Sequence, residues 1–313
     1  MKKFDVVITN PPYNSKRGDN NQSVDIYHSF IDKAFDLSKR YVIMITKSNW
    51  MIKPTMKSFR DKMIRKYNVD KISHYEKNPF NGTEIKGGVS YFVIDNENTK
   101  DTFKLNGVTY NRNLALHFLP YDLNYDELLV LNKIINLEKI DMSNFRAKGY
   151  YNIKCNDVRL EKENENNCVE CHVSEKKGKI MYFPKGEFNK KISEDILKYK
   201  IFTSSSYSPN KLGRVFFGVN QLNSESLVNW VFDSEEDMKK FYKYINTKFF
   251  RFCISLINNK IDIGKTTFSL VPKIDFSKLD KIDDENIYRY LNLTEEDIKT
   301  IENRCEKLNL FLK

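Results

Sequence analysis

Glycine is scarce in this chain: eleven occur in 313 residues, and no two are spaced Gly-x-Gly. That excludes a cofactor loop of the usual glycine-rich spelling, in which glycine permits a tight turn and close backbone approach. Long hydrophobic runs are missing too. No apolar stretch reaches the roughly 20 residues needed to span a bilayer, so no membrane partner is expected. The five cysteines (155, 168, 171, 253 and 305) are odd in number and scattered. No signal peptide precedes them, since Met1-Lys2-Lys3 runs straight into a strand-like segment. A reduced, cytoplasmic protein is the expectation. Cys168-Val169-Glu170-Cys171-His172 has the spelling of a haem-attachment site, but that chemistry needs export. As a zinc half-site it lacks a second Cys-x-x-Cys or His pair, and no metal is expected.

Negative charge is also in deficit. The formal net charge is +10. Lys and Arg number 17 against 10 acidic residues over positions 1–95, and 35 against 32 over the rest. The excess therefore sits in the first third of the chain. It points to a polyanionic partner, nucleic acid before membrane. A merely soluble, lysine-rich surface is the competing reading.

What is present centres on Ile8-Thr9-Asn10-Pro11-Pro12-Tyr13. Phe4 to Thr9 reads FDVVIT, a short β-branched run that suits a buried strand. Pro11 drives Asn10 out of the helical region, and Pro12 does the same to Pro11. Neither proline has an N–H, so nearby carbonyls are free to accept from elsewhere. The result is a stiff strand end that presents an amide, bare carbonyls and an aromatic ring. The Asn10 side-chain oxygen and the Pro11 carbonyl can each accept an N–H of an adenine exocyclic amine. This localises the nitrogen lone pair for attack on a methyl group, by positioning and electrostatics alone. Tyr13 can stack on a base flipped out of the duplex. A rigid Asn-Pro turn without chemistry is the plain alternative.

Further along, residues 14–23 are polar and aperiodic and read as a mobile loop. Ser23 and Asp25 offer caps to a helix whose apolar face is Ile26, Phe30, Ala34 and Leu37, with Tyr27 and Ile31 beside them. Tyr41–Thr46, Val69–Tyr75 and Gly88–Asp95 read as strands. Residues 47–66 have helical spacing, with Lys47, Lys53, Lys57, Arg60, Lys62, Arg65 and Lys66 set against Asp61. Their basic face lies near phosphate or is simply solvated. Phe80 sits among turn residues, and Gly87-Gly88 implies a bulge or close backbone approach. Asn106-Gly107 is a hairpin signal, and a helix is expected over 124–140. Basic and aromatic residues interleave at Phe145–Tyr151 and Tyr207–Phe217, a mixture suited to phosphate and base contact. Asp233-Ser234-Glu235-Glu236 caps one long helix through Met238, Phe241, Tyr242, Ile245 and Phe249 toward Leu256. Thr294-Glu295-Glu296-Asp297 starts the last helix.

Asn10-Pro11-Pro12-Tyr13 after a hydrophobic strand, Asp25–Ala34 as the next helix, Tyr41–Trp50 as the next strand and Phe80–Asp95 as a hairpin occur in a set order. In that order and spacing the chain resembles the adenine-specific DNA methyltransferases of bacterial restriction–modification systems. The resemblance covers about residues 4–95 and is looser beyond. It implies an α/β fold: a partial Rossmann-like methyltransferase sheet (the catalytic half) over residues 1–112, then an α+β target-recognition domain over 113–313. It implies S-adenosylmethionine as cofactor and double-stranded DNA as partner. Asn10, Pro11, Pro12 and Tyr13 would be catalytic, Tyr13 and Phe80 would pack on the flipped adenine, and Phe30 would contact the cofactor's adenine. A core role for Phe30 is compatible with that.

The chain departs from the family at the cofactor. The family's Phe-x-Gly-x-Gly loop and its first three strands are not found. Three readings follow: a partner subunit carrying that loop completes the enzyme, the chain is a non-catalytic specificity or decoy protein, or it is a portion of a longer gene product. Without those strands Phe4–Thr9 becomes a sheet edge, which is expected to pair with the missing half or to self-associate.

Overall fold

The structure is a computed structural model. It describes residues 4–17, 22–75, 80, 85, 87–112, 119–163, 167–174, 179–206, 211–256 and 263–310. The chain divides into two compact units, Met1–Tyr125 and Asp126–Lys313.

In the first unit, β1 (Phe4–Thr9) is followed by a hairpin, β2 (Asn14–Arg17) and β3 (Gln22–Asp25). Helix α1 (Tyr27–Leu37) then crosses over to β4 (Ser38–Lys47). A 3₁₀ turn at Ser48–Met51, the short helix α2 (Lys57–Asp61) and a π turn at Lys62–Lys66 lead to β5 (Val69–Tyr75). β6 (Val89–Asp95), β7 (Thr102–Leu105) and β8 (Val108–Asn111) complete a six-stranded sheet in the order β1-β4-β6-β5-β7-β8. β1 runs parallel to β4, with Ile8 opposite Ile43, and β6 is antiparallel to both its neighbours. Asn106 and Gly107 both have positive φ (49° and 85°), the backbone a two-residue β7–β8 hairpin needs.

One face of this sheet is closed. Val42, Met44, Thr46, Phe92 and Ile94 are buried, together with Tyr27 and Ile31 of α1, Phe59 of α2, and Trp50. The rings of Tyr27 and Phe59, and of Trp50 and Phe92, meet edge to face. The opposite face, with Val6, Ile8, Tyr41, Ile43, Ile45, Tyr91 and Val93, is half-buried or exposed throughout.

Residues 119–123 stay with the first unit. Leu119 N–H donates to the Met51 carbonyl at 2.6 Å, the Tyr110 hydroxyl to the Pro120 carbonyl at 3.0 Å, and the Asn106 amide to the Tyr121 carbonyl at 2.5 Å. These ties keep the segment after residue 112 with the first unit, which ends at Tyr125.

The second unit opens with α3 (Tyr125–Ile134) and β9 (Phe145–Arg146). β10 (Cys168–Ser174), β11 (Lys179–Pro184), α4 (Lys190–Asp195), β12 (Tyr199–Ser204), β13 (Phe216–Gly218), β14 (Gln221–Asn223) and β15 (Leu227–Phe232) follow. They form a three-stranded sheet β11-β10-β14 and a four-stranded sheet β13-β12-β15-β9. Helices α5 (Glu235–Ile245), α6 (Lys248–Ser255), α7 (Asp284–Tyr290) and α8 (Glu295–Lys307) follow. The single long helix expected from Glu235 toward Leu256 is broken. Thr247 takes an extended backbone and accepts the Phe250 N–H, so it starts a new helix. Ser234 caps α5, and Thr294 with Asp297 forms a capping box on α8.

A half-buried histidine and a buried lysine give the fold a pH signature. His74 stacks on Tyr121 (ring centroids 3.8 Å apart) and shares a 2.7 Å hydrogen bond with Ser48. Burial lowers its pKa to about 4. Lys200 is fully buried, donates to the Ile196 and Lys198 carbonyls, and is lowered to about 8 by desolvation. Both groups bind protons less readily when folded than unfolded. The His74 contribution is therefore intact above its unfolded pKa of about 6.5 and is lost as pH falls toward 4. Stability tied to Lys200 rises as pH climbs from about 8 to about 10.5. Discounted for partial exposure, the acid-side loss from His74 is about 1–2 kcal/mol. Urea midpoints at pH 7 and pH 5 test this, and His74→Gln should show the smaller acid shift. Equal shifts in both proteins would remove His74 as the sensor.

Candidate active site

β1 ends at Thr9, and the backbone leaves the sheet at Asn10. Asn10 is exposed, Pro11 buried, Pro12 exposed and Tyr13 half-buried. The Tyr13 hydroxyl is enclosed without a hydrogen-bond partner among the described residues, and burial raises its pKa. The turn therefore presents its amide to solvent while the tip of the tyrosine is held inside. The Tyr13 carbonyl accepts the Ile26 N–H at 3.0 Å, which closes the mouth of the β2–β3 hairpin.

The expected aperiodic loop at 14–23 is a hairpin. Its order comes from backbone pairing, Asn14 opposite Asp25 and Ser15 opposite Val24, which carries no hydrophobic pattern to read. Residues 18–21 lie outside the described residues. Ser23 and Asp25 do not cap α1. The N-cap position is Ile26, with no side-chain bond. Asp25 is held instead by Lys53 at 3.1 Å, with Asn49 at 3.5 Å and Lys47 at 3.9 Å. Lys47 also donates to Asn14 at 2.5 Å, and the Tyr27 hydroxyl donates to Asn49 at 2.9 Å. This polar cluster spans the carboxyl ends of the parallel pair β1 and β4. Sequence reading missed it, because Lys47 read as one of seven cations on a basic face and Asp25 as a cap.

That basic face is only partly real. Arg60 is 1% exposed and donates to the Trp50 and Lys53 carbonyls at 2.7 and 2.8 Å. Lys62 pairs with Asp32 at 2.7 Å. Lys57, Arg65 and Lys66 remain exposed.

Phe30 is 40% exposed, so its core reading is wrong. The inward stripe of α1 is Tyr27, Ile31 and Ala34, the part of the expected apolar face that packs on the sheet. Phe80 is 39% exposed, and its neighbours 76–79 and 81–84 lie outside the described residues. Gly87 and Gly88 have positive φ (83° and 70°), and the Gly88 carbonyl accepts the Ser48 N–H at 3.1 Å, the close approach expected there.

In the second unit, Phe145–Tyr151 is divided, with Ala147, Lys148 and Gly149 exposed and its ends turned inward. Phe145 and Tyr151 are buried, Arg146 grips Asp195 through two hydrogen bonds of 2.6 and 3.0 Å, and the Tyr151 hydroxyl donates to the same carboxylate at 3.1 Å. Of Tyr207–Phe217, residues 207–210 lie outside the described residues, while Arg214 and Phe217 are exposed. Strand alternation separates the Cys-x-x-Cys-His residues. Cys171 points into the core, Cys168 donates to Glu161 at 3.1 Å, and His172 bonds Gln221 at 3.0 Å. No helix among the described residues is long and apolar enough to cross a membrane.

Residues 1–80, which hold the Asn-Pro-Pro-Tyr turn at the carboxyl end of β1, match the Eco57I restriction-modification methylase family. The chain is 38% identical over 103 residues to an uncharacterised adenine-specific methylase of Mycoplasma pneumoniae, a match covering 31% of this chain and 24% of the relative. The N-terminal region is thus similar to adenine-specific restriction–modification methylases, and the chain spans about a quarter of that curated relative. Among solved structures, the type IIL restriction–modification enzyme MmeI in complex with DNA aligns with a TM-score of 0.50 at 8% identity, over 85% of this chain and 46% of that one. The type IIG restriction endonuclease BpuSI aligns over 93% and 49%, at 12% identity and a TM-score of 0.37.

Proposed function

We propose that the chain is the catalytic and target-recognition portion of an enzyme that methylates the exocyclic amine of adenine in double-stranded DNA. The observation that carries this reading is the exposed Asn10 amide on a proline-stiffened turn, at the carboxyl ends of two parallel strands. Asn10 Oδ1 and the Pro11 carbonyl accept the two amine hydrogens, and the lone pair is left directed at a methyl donor. Tyr13 and Phe80 pack against the extruded base, each contact contributing about 1–3 kcal/mol.

S-adenosylmethionine is the donor this chemistry calls for. Phe30 is exposed and available to its adenine, but no glycine-rich turn exists to receive the rest of it. The described residues do not make a complete pocket. The first unit is open where a complement belongs. β1 pairs only with β4 among the described strands. Phe4, Val6 and Ile8 are 54%, 43% and 73% exposed. We assign the free edge and open face to a Rossmann-like complement that brings the glycine-rich loop, whether it is a preceding segment or a separate polypeptide.

Base extrusion tests the reading directly. A duplex with 2-aminopurine at the target position should brighten on binding and be partly quenched by the aromatic rings. Phe80→Ala should relieve the quenching. A signal unchanged by binding would remove base flipping from the account.

A further inference from the structure

We propose that Lys47 is a positioning residue for the Asn10–Tyr13 turn, clamping the base of the β2–β3 hairpin so that Asn10 and Tyr13 keep their aim. The inference rests on the reading of that turn as the amine-holding site.

The chain passes from Tyr13 straight into β2, so the hairpin's base sets the backbone direction after Pro12. That base is the Asn14–Asp25 pair, closed by the Tyr13–Ile26 hydrogen bond. Lys47 reaches both sides of it, Asn14 Oδ1 at 2.5 Å and Asp25 Oδ1 at 3.9 Å. It does so from the last residue of β4, the parallel neighbour of β1. The ammonium therefore ties the end of one strand to the loop that leaves the other.

The clamp is anchored in the core. Asn49, which reaches Asp25 at 3.5 Å, accepts the hydroxyl of the fully buried Tyr27. The Asp25 side chain is only 11% exposed and that of Lys47 22%. A fully exposed ion pair is too soft to orient a loop, whereas a pair this enclosed holds its geometry. A lysine meant for DNA phosphate would turn its donors outward, but this one donates to Asn14 and lies beside the Asp25 carboxylate, which Lys53 also holds at 3.1 Å. Misplacing a catalytic group by about 1 Å costs about 10²-fold in rate, so the clamp matters without touching substrate.

The test uses the full chain with Lys47→Met, which keeps the aliphatic stem, and Lys47→Arg, which keeps the charge. In hydrogen exchange of the chain alone, Lys47→Met should speed amide exchange at residues 13–17 and 24–26 by about tenfold. Residues 89–111 should be unchanged, and Lys47→Arg should restore most of the protection. With the glycine-loop complement present, Lys47→Met should lower kcat about 10²-fold and leave KM for DNA nearly constant. Unchanged exchange overturns the proposal. So does a raised KM at constant kcat, which would make Lys47 a phosphate contact. If Lys47→Met loses its cooperative melt, Asn14→Ala removes the acceptor instead and is read the same way. A wild-type assembly that methylates no adenine sinks the reading of the site, while exchange still decides whether Lys47 holds the turn.

Discussion

Replacing Asn10 by alanine is expected to lower adenine methylation by about 10²–10³-fold while leaving affinity for duplex DNA essentially unchanged. Asn10 is exposed at the end of β1, and its backbone is fixed by the two prolines rather than by its side chain. The substitution therefore removes an acceptor without loosening the strand. The loss corresponds to one preorganised polar contact, about 2.7–4 kcal/mol of transition-state stabilisation. Asn10→Asp is the informative control. It keeps an acceptor and should retain more activity than alanine. Wild-type turnover in the alanine variant would reduce Asn10 to a turn residue.

The second large effect concerns association. Among the described strands β1 is paired on one side only, and it carries three exposed apolar side chains, Phe4, Val6 and Ile8, on one face. Burying such side chains contributes about 1.5–3 kcal/mol each, and an uncovered edge of this kind is a pairing template. In sedimentation the chain alone should associate in a concentration-dependent way. The double variant Val6→Lys, Ile8→Lys should sediment as a monomer, since charges on an edge strand oppose pairing. It should melt no lower than wild type, because both side chains leave solvent rather than core. It should also fail to bind the complement. A wild type that stays monomeric at every concentration, or a variant that still takes up the complement, would contradict the assignment of this edge.

Much of the first unit could be read directly from the residues. Phe4–Thr9 announces its strand by β-branching and its end by Pro11, and Asn106-Gly107 fixes a hairpin through two left-handed residues. Ser234 and Thr294 mark helix starts because a short polar side chain there satisfies a backbone N–H. The failures share a cause. Whether Arg60 and Arg146 face DNA or bond inward depends on carbonyls and a carboxylate brought up by the fold, which no local pattern records. Phe30 is not a core residue because the sheet packs on the Tyr27, Ile31 and Ala34 side of α1, and which of two adjoining apolar rows faces inward is decided by that packing, not by local periodicity. In the Asp25–Lys47–Asn14 cluster Lys47 meets residues 22 and 33 positions before it, and the β2–β3 hairpin and the parallel pairing of β1 with β4 bring them together.

The most direct measurement is transfer of labelled methyl groups from S-adenosylmethionine to duplex DNA, with the product nucleosides separated. It is run with the chain alone and with a polypeptide carrying the glycine-rich loop. The account predicts label in N6-methyladenine only when both are present and Asn10 is intact. Label in cytosine, or full methylation by this chain alone, would contradict it.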